Sequence, residues 1–261
     1  QQNLGFAAAC NIGAAAATGQ YLVFLNNDTE VERGWLEALV AACEAEDGEA
    51  IVGSKLFYPD GRLQHAGVRI SYADPYPITT AHLRYGQPDS EDVRCEVDAV
   101  TGASMLVPRD VFYELGGFDE VYKNGYEDVD FCLKARQRGY GIIYEPASRA
   151  IHYESRTPGR FDKAWMNVNI LHRRWLPYVI RHYRKNLPSK RLRDASRPPV
   201  SIVIVTCNSL ATIALCLESV LATTADADEI IVVDNNSCDE TAYYVECLRE
   251  ALGCVKIKLC C

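Results

Sequence analysis

Three short apolar runs each stop at a cluster of Asn, Asp, Ser or Thr, and this pattern limits the chain more than any other feature. Tyr21-Leu22-Val23-Phe24-Leu25 runs into Asn26-Asn27-Asp28-Thr29. Ile230-Ile231-Val232-Val233 runs into Asp234-Asn235-Asn236-Ser237, and Val200-Ser201-Ile202-Val203-Ile204-Val205 into Thr206-Cys207-Asn208-Ser209. Apolar runs of this length bounded by polar turns are the buried strands of a parallel sheet. Ligands of such sheets gather at the carboxyl ends of the strands, and all three polar clusters lie there. The pattern predicts an α/β fold whose ligand site is built from strand ends.

Helical periods fill the intervals. They are predicted over 33–45, with apolar positions at Trp35, Leu36, Leu39 and Val40; over 209–221, capped by Ser209; and over 239–252, capped by Asp239. A further helix over 128–138 carries Val129, Phe131, Cys132 and Ala135 and stops at Gly139. Residues 54–100 read as irregular, with short strands and turns at Pro59-Asp60-Gly61 and Pro75-Tyr76-Pro77, a stretch of the size that faces substrate in enzymes. Residues 161–183 read as a basic helix and 185–199 as a linker, which fully extended reaches roughly 50 Å. The expected organisation is therefore 1–184, a linker 185–199, and 200–261.

The net charge of −8 argues against nucleic acid as a partner. The charge is uneven: 162–197 holds ten Lys/Arg against two acids, +8, which leaves −16 elsewhere. With 48% hydrophobic residues the chain can bury a substantial core, and no apolar run reaches the roughly 18 residues of a membrane span. The first residues lack the basic-then-apolar pattern of a signal peptide, and a cytoplasmic location is expected. Of eleven Cys none falls at zinc-finger spacing; Cys10, Cys132, Cys207 and Cys216 sit inside apolar or motif segments, and most read as reduced core residues.

Four signatures resemble one family. They are Val203-Ile204-Val205-Thr206-Cys207-Asn208; Ile231-Val232-Val233-Asp234-Asn235-Asn236-Ser237 with Asp239-Glu240-Thr241; Asn3-Leu4-Gly5-Phe6 to Asn11 with Phe24-Leu25-Asn26-Asn27-Asp28; and Thr101-Gly102-Ala103-Ser104, Gly116-Gly117-Phe118-Asp119-Glu120 and Tyr126-Glu127-Asp128-Val129-Asp130. Together they resemble the family 2 glycosyltransferases, inverting enzymes of the A-type glycosyltransferase fold, with a flavour of the bacterial rhamnosyltransferases of cell-surface polysaccharides. The resemblance implies a single mixed, mostly parallel sheet flanked by helices. The order is shifted, because the first two signatures of the family stand last here. Either the chain is a circular permutant or it is cut from tandem transferase domains. The basic helix and linker ahead of a fresh strand favour the second history. In both, 200–261 is expected to dock onto 1–160 in the same chain, or in a domain-swapped dimer. Strands 200–205 and 230–233 would then be central, Asp234, Asp28 and Asp128 would line one cleft, and Gln1 would lie near Cys261.

The resemblance also implies roles. A divalent cation, Mg or Mn, would neutralise the diphosphate leaving group. Asn26-Asn27-Asp28 stands where the family keeps Asp-x-Asp, so Asp28 would be the metal carboxylate, and His152, after 149–151, a second ligand. Asp128 would be the general base that deprotonates the acceptor hydroxyl, with Glu127 assisting the acceptor; a carboxylate at a helix start is otherwise a cap. Thr206, Asn208, Asp234 and Asn236 would grip the nucleoside. Asn3, Gly5, Phe6, Asn11 and Asn27 would border the nucleotide, and Gly102 and Ala103 would leave room for the sugar. Cys207 replaces the family's usual Tyr, and Asn235-Asn236 its usual Asp-Gly. The expected partners are a nucleotide-sugar donor and a glycan or lipid-linked acceptor. Trp165, Arg173, Arg174 and Trp175 within 161–184 would touch the inner face of the cytoplasmic membrane or pack on the domain. The competing reading is a fragment that folds and binds nucleotide without turnover.

Overall fold

In the computed structural model the described residues are 4–73, 76–82, 92–153, 164–183, 198–224, 228–253 and 257–260. They divide into two compact units, Gln1–Arg69 with Thr80–Val168 and Ile70–Thr79 with Asn169–Cys261. The expected linker falls mostly outside the described residues, as do Gln1, Asn3 and Cys261.

The first unit contains α1 (Phe6–Ala16), β1 (Tyr21–Leu25), β2 (Thr29–Val31), α2 (Trp35–Glu44), β3 (Ile51–Phe57) and β4 (Leu63–His65). Next in the chain are β5 (Val68–Ala73) and β6 (Tyr76–His82), which pair with each other and whose residues 70–79 belong to the second unit; the first unit continues with β7 (Cys95–Glu96), β8 (Ser104–Pro108), α3 (Arg109–Glu114), α4 (Glu127–Arg138) and β9 (Ile142–His152). Seven of these strands form one sheet along the path β1-β8-β3-β9-β2, with β4 beside β3 and β7 beside β9. The sheet is mixed, as expected, but within it only β3 and β9 pair in parallel. Strand β8 runs antiparallel to both β1 and β3. That direction matters for the site, because it sets the end of β1 beside the start of β8.

Strand β3 is buried along its whole length. Most of it falls in the stretch expected to be irregular, because Ser54 and Lys55 break its apolar run. The structure gives the serine neighbours across three adjacent strands. Ser54 Oγ lies 2.6 Å from Ser104 Oγ on β8 and 2.7 Å from Ser148 Oγ on β9. Trp35 Nε1 of α2 donates to Ser54 and Ser104 at 3.1 and 3.0 Å. A satisfied polar cluster of this kind costs little to bury. Around it Leu39, Ala42 and Cys43 of α2 pack on Val52, Leu106 and Ile143 of the sheet. A second cluster seats α4: Phe24, Phe112, Phe118 and Phe131 stack with ring centroids 4.8–5.4 Å apart. Each buried ring contributes about 1.5–3 kcal/mol through apolar area, so the start of α4 is held by a rigid support. The predicted stop of α4 is met by Gly139 at φ 92°.

The second unit contains α5 (Ala164–Tyr183, begun in the first unit), β10 (Ser201–Thr206), α6 (Leu210–Thr223), β11 (Glu229–Asp234), α7 (Thr241–Leu252) and β12 (Ile257–Cys260). Its strands form a parallel sheet in the order β10-β11-β12. The single sheet expected from the sequence is thus replaced, among the described residues, by separate sheets. Strand β11 has both edges occupied, six residues in register with β10 and four with β12. On α5, Leu171, Trp175, Leu176, Val179 and Ile180 are buried at helical spacing, with Pro177 inside the helix. Trp175 therefore belongs to the core, while Trp165, Arg173 and Arg174 are exposed. No described helix is long and apolar enough to cross a membrane.

Candidate active site

The Asn26-Asn27-Asp28 turn joins β1 to β2, and two antiparallel registers fix it. Leu25 pairs with Ser104 at the start of β8, so the Asn26 N–H donates to the Ala103 carbonyl at 3.0 Å. Thr29 pairs with His152 at the end of β9, and the Tyr153 N–H donates to the Asp28 carbonyl at 2.9 Å. The register thereby carries His152 to the turn: its Nε2 lies 3.3 Å from Asp28 Oδ1 and 3.2 Å from Asn26 Nδ2. Asn27 is exposed.

Gln64 on β4 sets the state of this imidazole. Its Nε2 donates to the His152 carbonyl at 3.1 Å, which turns Oε1 toward His152 Nδ1 at 2.8 Å. An amide oxygen only accepts, so Nδ1 carries a hydrogen and the neutral ring keeps a lone pair on Nε2. That lone pair accepts from Asn26 Nδ2 at 3.2 Å and lies 3.3 Å from the Asp28 carboxylate, so an ion bound there would take the place of the Asn26 bond. A nitrogen and a carboxylate oxygen, with the Gln64 amide fixing the ring from its other nitrogen, fit a divalent ion. Among the described residues no group of three or more His, Cys, Asp or Glu could hold a metal. Protein ligands from Asp28 and His152 would therefore need completion by phosphate oxygens and water, the usual arrangement for Mg²⁺ on a diphosphate.

His65 follows Gln64 and is buried; burial, then His82 and His152, hold its pKa well below the ordinary histidine value. The Thr101 N–H donates to His65 Nε2 at 3.4 Å, and His65 Nδ1 lies 3.0 Å from His82 Nδ1. Neither histidine was singled out in the sequence, nor was Gln64. The available signal was a buried-strand position followed by glycine: Gly67 has φ 96°, and a Cβ there would meet Val97 at 2.6 Å.

One residue on, the Gly102 N–H donates to Asp128 Oδ2 at 3.0 Å. Asp128 Oδ1 accepts from the Val129 N–H at 2.8 Å, within the first turn of α4. The carboxylate is half-buried. A Cβ on Gly102 would stand 3.2 Å from the Phe6 ring and 3.6 Å from Asp128 Cβ. Glycine is therefore the residue that lets Phe6, Gly102 and Asp128 meet. Ala103 is buried against Leu56 and Ala150. Glu127 is buried, and its Oε2 accepts from the Gly125 N–H at 2.7 Å, bracing the turn in which Asn124, Gly125 and Tyr126 all have positive φ. It also helps burial push the Cys10 thiol up to about 11. Gly5, at φ 84°, starts α1. Asn11 is a clasp: its amide donates to the Phe118 carbonyl and to Glu120 and accepts the Phe118 N–H.

In the second unit the two strand-end turns are tied together. Asn208, at φ 46°, accepts the Cys238 N–H at 2.7 Å, and its own N–H donates to Ser237 Oγ at 2.8 Å. Asp234 is buried and takes both the N–H and the hydroxyl of Ser237. Thr206 is buried beside Ser209, with its carbonyl accepting from the Asn235 N–H at 2.8 Å. Asn236 is exposed at φ 59°. Ser209 stands at the N-cap of α6 as expected, but its side chain makes no cap bond. Asp239 accepts the N–H groups of both Leu210 and Thr241, so one carboxylate serves the starts of α6 and α7. Cys207 is exposed on its turn, whereas Cys132 is buried.

The model of Glycosyl transferase family 2 matches residues 1–116 and 201–260. An uncharacterized protein, y4gI, of Sinorhizobium fredii (strain NBRC 101917 / NGR234) is 33% identical over 65% of this chain and 20% of its own length. The O-antigen biosynthesis protein RfbC of Myxococcus xanthus is 36% identical over 56% of this chain and 12% of its own. The N-acetylglucosaminyl-diphospho-decaprenol L-rhamnosyltransferase of Mycobacterium tuberculosis (strain ATCC 25618 / H37Rv) is 25% identical over 60% of this chain and 58% of its own. The chain thus spans a fifth or less of the first two relatives. With the family match covering both strand-end turns of the second unit and the Asn26–Asp28 turn of the first, the chain belongs to glycosyl transferase family 2.

Proposed function

We propose that this chain transfers a sugar from a nucleotide-diphosphate donor to a hydroxyl of a glycan or lipid-linked acceptor, with inversion and with Asp128 as general base. The observation that carries this reading is the Gly102 N–H bond to Asp128, which links the candidate base through Ala103 to the Asn26–Asp28 turn. The acceptor oxygen bonds to the anomeric carbon as the bond to the diphosphate oxygen breaks on the opposite face. The hydroxyl proton passes to Asp128, and the electron pair leaves with the diphosphate. A divalent ion at Asp28 and His152 would supply charge neutralisation of that leaving group. Gln64 holds the His152 ring in the tautomer such an ion requires. Thr206, Asn208 and Asp234 are proposed to hold the nucleoside, with Asp234 exchanging its Ser237 bonds for a base N–H. The named relatives suggest an acceptor of the cell-envelope class, among which a lipid diphosphate is one.

A second reading, nucleotide binding without turnover, is favoured by one observation: Asn26 donates to His152 where an acid would bind metal. Calorimetry with nucleoside diphosphates, with and without Mn²⁺ or Mg²⁺, followed by release of nucleotide from sugar nucleotides in the presence of acceptor, separates the two. Metal-dependent binding with acceptor-dependent release supports transfer; binding with no release from any donor supports the second reading.

A further inference from the structure

Backbone groups at all three positions of the Thr101-Gly102-Ala103 turn are held from outside it. The Thr101 N–H goes to His65 Nε2, the Gly102 N–H to Asp128 and the Ala103 carbonyl to the Asn26 N–H. Inside the turn, Thr101 Oγ1 accepts from the Ala103 N–H at 3.3 Å. Two of the outside partners belong to the candidate chemistry. The third, His65, is not itself one of the candidate site residues, yet its bond fixes the peptide immediately before the one that meets Asp128.

Hydrogen-bond polarity fixes the state of His65. Its Nε2 accepts from Thr101, so in the neutral ring the hydrogen is on Nδ1. Nδ1 faces His82 Nδ1 at 3.0 Å, with the rings edge-on at 71°. One nitrogen must donate and the other accept; His65 donates, and His82 is therefore hydrogenated on Nε2. His82 lies at the end of β6 and is exposed, while His65 is held on β4 by its register with Leu56. A Cβ at Gly53 would meet Val100 and one at Gly67 would meet Val97, so the segment leading into Thr101 runs tight against β3 and against the turn that follows His65.

We infer that His65, oriented by His82, is a positioning residue that sets the Thr101–Ala103 turn and through it the Asp128 carboxylate. The geometric claim stands on the bonds above; its catalytic consequence rests on the proposed transfer reaction. The role is one of orientation, and it predicts which substitutions are tolerated. An amide at position 65 that offers an acceptor where Nε2 stood preserves the Thr101 bond. One that reproduces only Nδ1 loses it.

The test uses the 261-residue chain. Long-range nitrogen–proton NMR of labelled histidines at pH 7.5 is expected to show His65 hydrogenated at Nδ1 and His82 at Nε2. Amide exchange at Thr101 and Gly102 should quicken about tenfold or more in His65→Asn and in His82→Leu, and stay near the parent in His65→Gln and His82→Asn. In a transfer assay the first two variants should lose about tenfold in kcat with donor KM within about twofold, and the second two should recover it. His65 hydrogenated at Nε2, or equal exchange at Thr101 and Gly102 in His65→Asn and His65→Gln, overturns the inference. Because His82 is exposed, its variants keep the test meaningful if a His65 variant fails to fold. A parent without transfer activity would count against the proposed reaction and leave the tautomer and exchange results to decide the positioning role.

Discussion

Asp28 Oδ1 and His152 Nε2, far apart in sequence, stand 3.3 Å apart because Thr29 and His152 are register partners in β2 and β9. The pairing is a consequence of the sheet, and the orientation of the ring is a consequence of Gln64. Both can be tested separately.

Asp28→Ala removes the carboxylate of this pair and Gln64→Leu removes the support of its imidazole. Each is expected to weaken metal-dependent binding of a nucleoside diphosphate, the second by about 10–100-fold, as loss of an outer-sphere partner does. Titration calorimetry with and without Mn²⁺ checks this. Equal affinity with and without metal in all three proteins would remove the metal from the account.

Gly53→Ala should destabilise the first unit without touching the site directly. The new Cβ would fall 2.4 Å from Val100 Cβ, and overpacking of this kind costs about 1–3 kcal/mol. Urea unfolding followed by Trp35 fluorescence reads the change. An unaltered midpoint would mean that β3 and Val100 are less closely packed than the structure has them.

Two buried histidines give the stability a definite pH slope. Burial lowers the pKa of His65, helped by His82 and His152, and burial lowers that of His172 although its bond to the Ile78 carbonyl acts the other way. The unfolded chain takes up these protons near the ordinary value of 6.5 and the folded chain only below it. Stability is then full above the unfolded value and falls as pH drops through it toward the folded values, by up to about 1.4 kcal/mol per pH unit for each histidine. Urea midpoints at pH 7.5, 6.5 and 5.5 should descend, and His65→Gln should reduce the slope by about half. A flat or rising series contradicts the burial of these rings in their neutral state.

What the sequence disclosed follows from period and punctuation. The runs ending at Asn26, Thr206 and Asp234 were legible because an apolar stretch and a polar turn coincide at each, and α4 because Gly139 ends it. Strand β3 was hidden by Ser54 and Lys55, polar residues whose burial depends on partners in β8, β9 and α2 or, for Lys55, on Asp92. Antiparallel pairing of β1 with β8 leaves no local trace, yet it is what brings Gly102 and Ala103 beside Asn26. Asp128 and His152 could be named by resemblance. Gln64, His65 and His82 could not, since a lone polar residue has no period and its role is written in hydrogen-bond direction. For Trp175 the sequence left a membrane surface and packing on the domain both open, and the burial of Leu171, Trp175 and Val179 at helical spacing puts it in the core.

The most direct test of the central claim is the Asp128→Asn variant, assayed for both transfer and donor binding. An amide keeps the shape of the side chain and an acceptor for the Gly102 N–H, but it takes no proton from the acceptor hydroxyl. General-base loss is expected to lower kcat by about 10²–10⁴-fold, with sugar-nucleotide affinity, measured by calorimetry, within about twofold of the parent. Turnover within about threefold of the parent would contradict the assignment of Asp128 as the base.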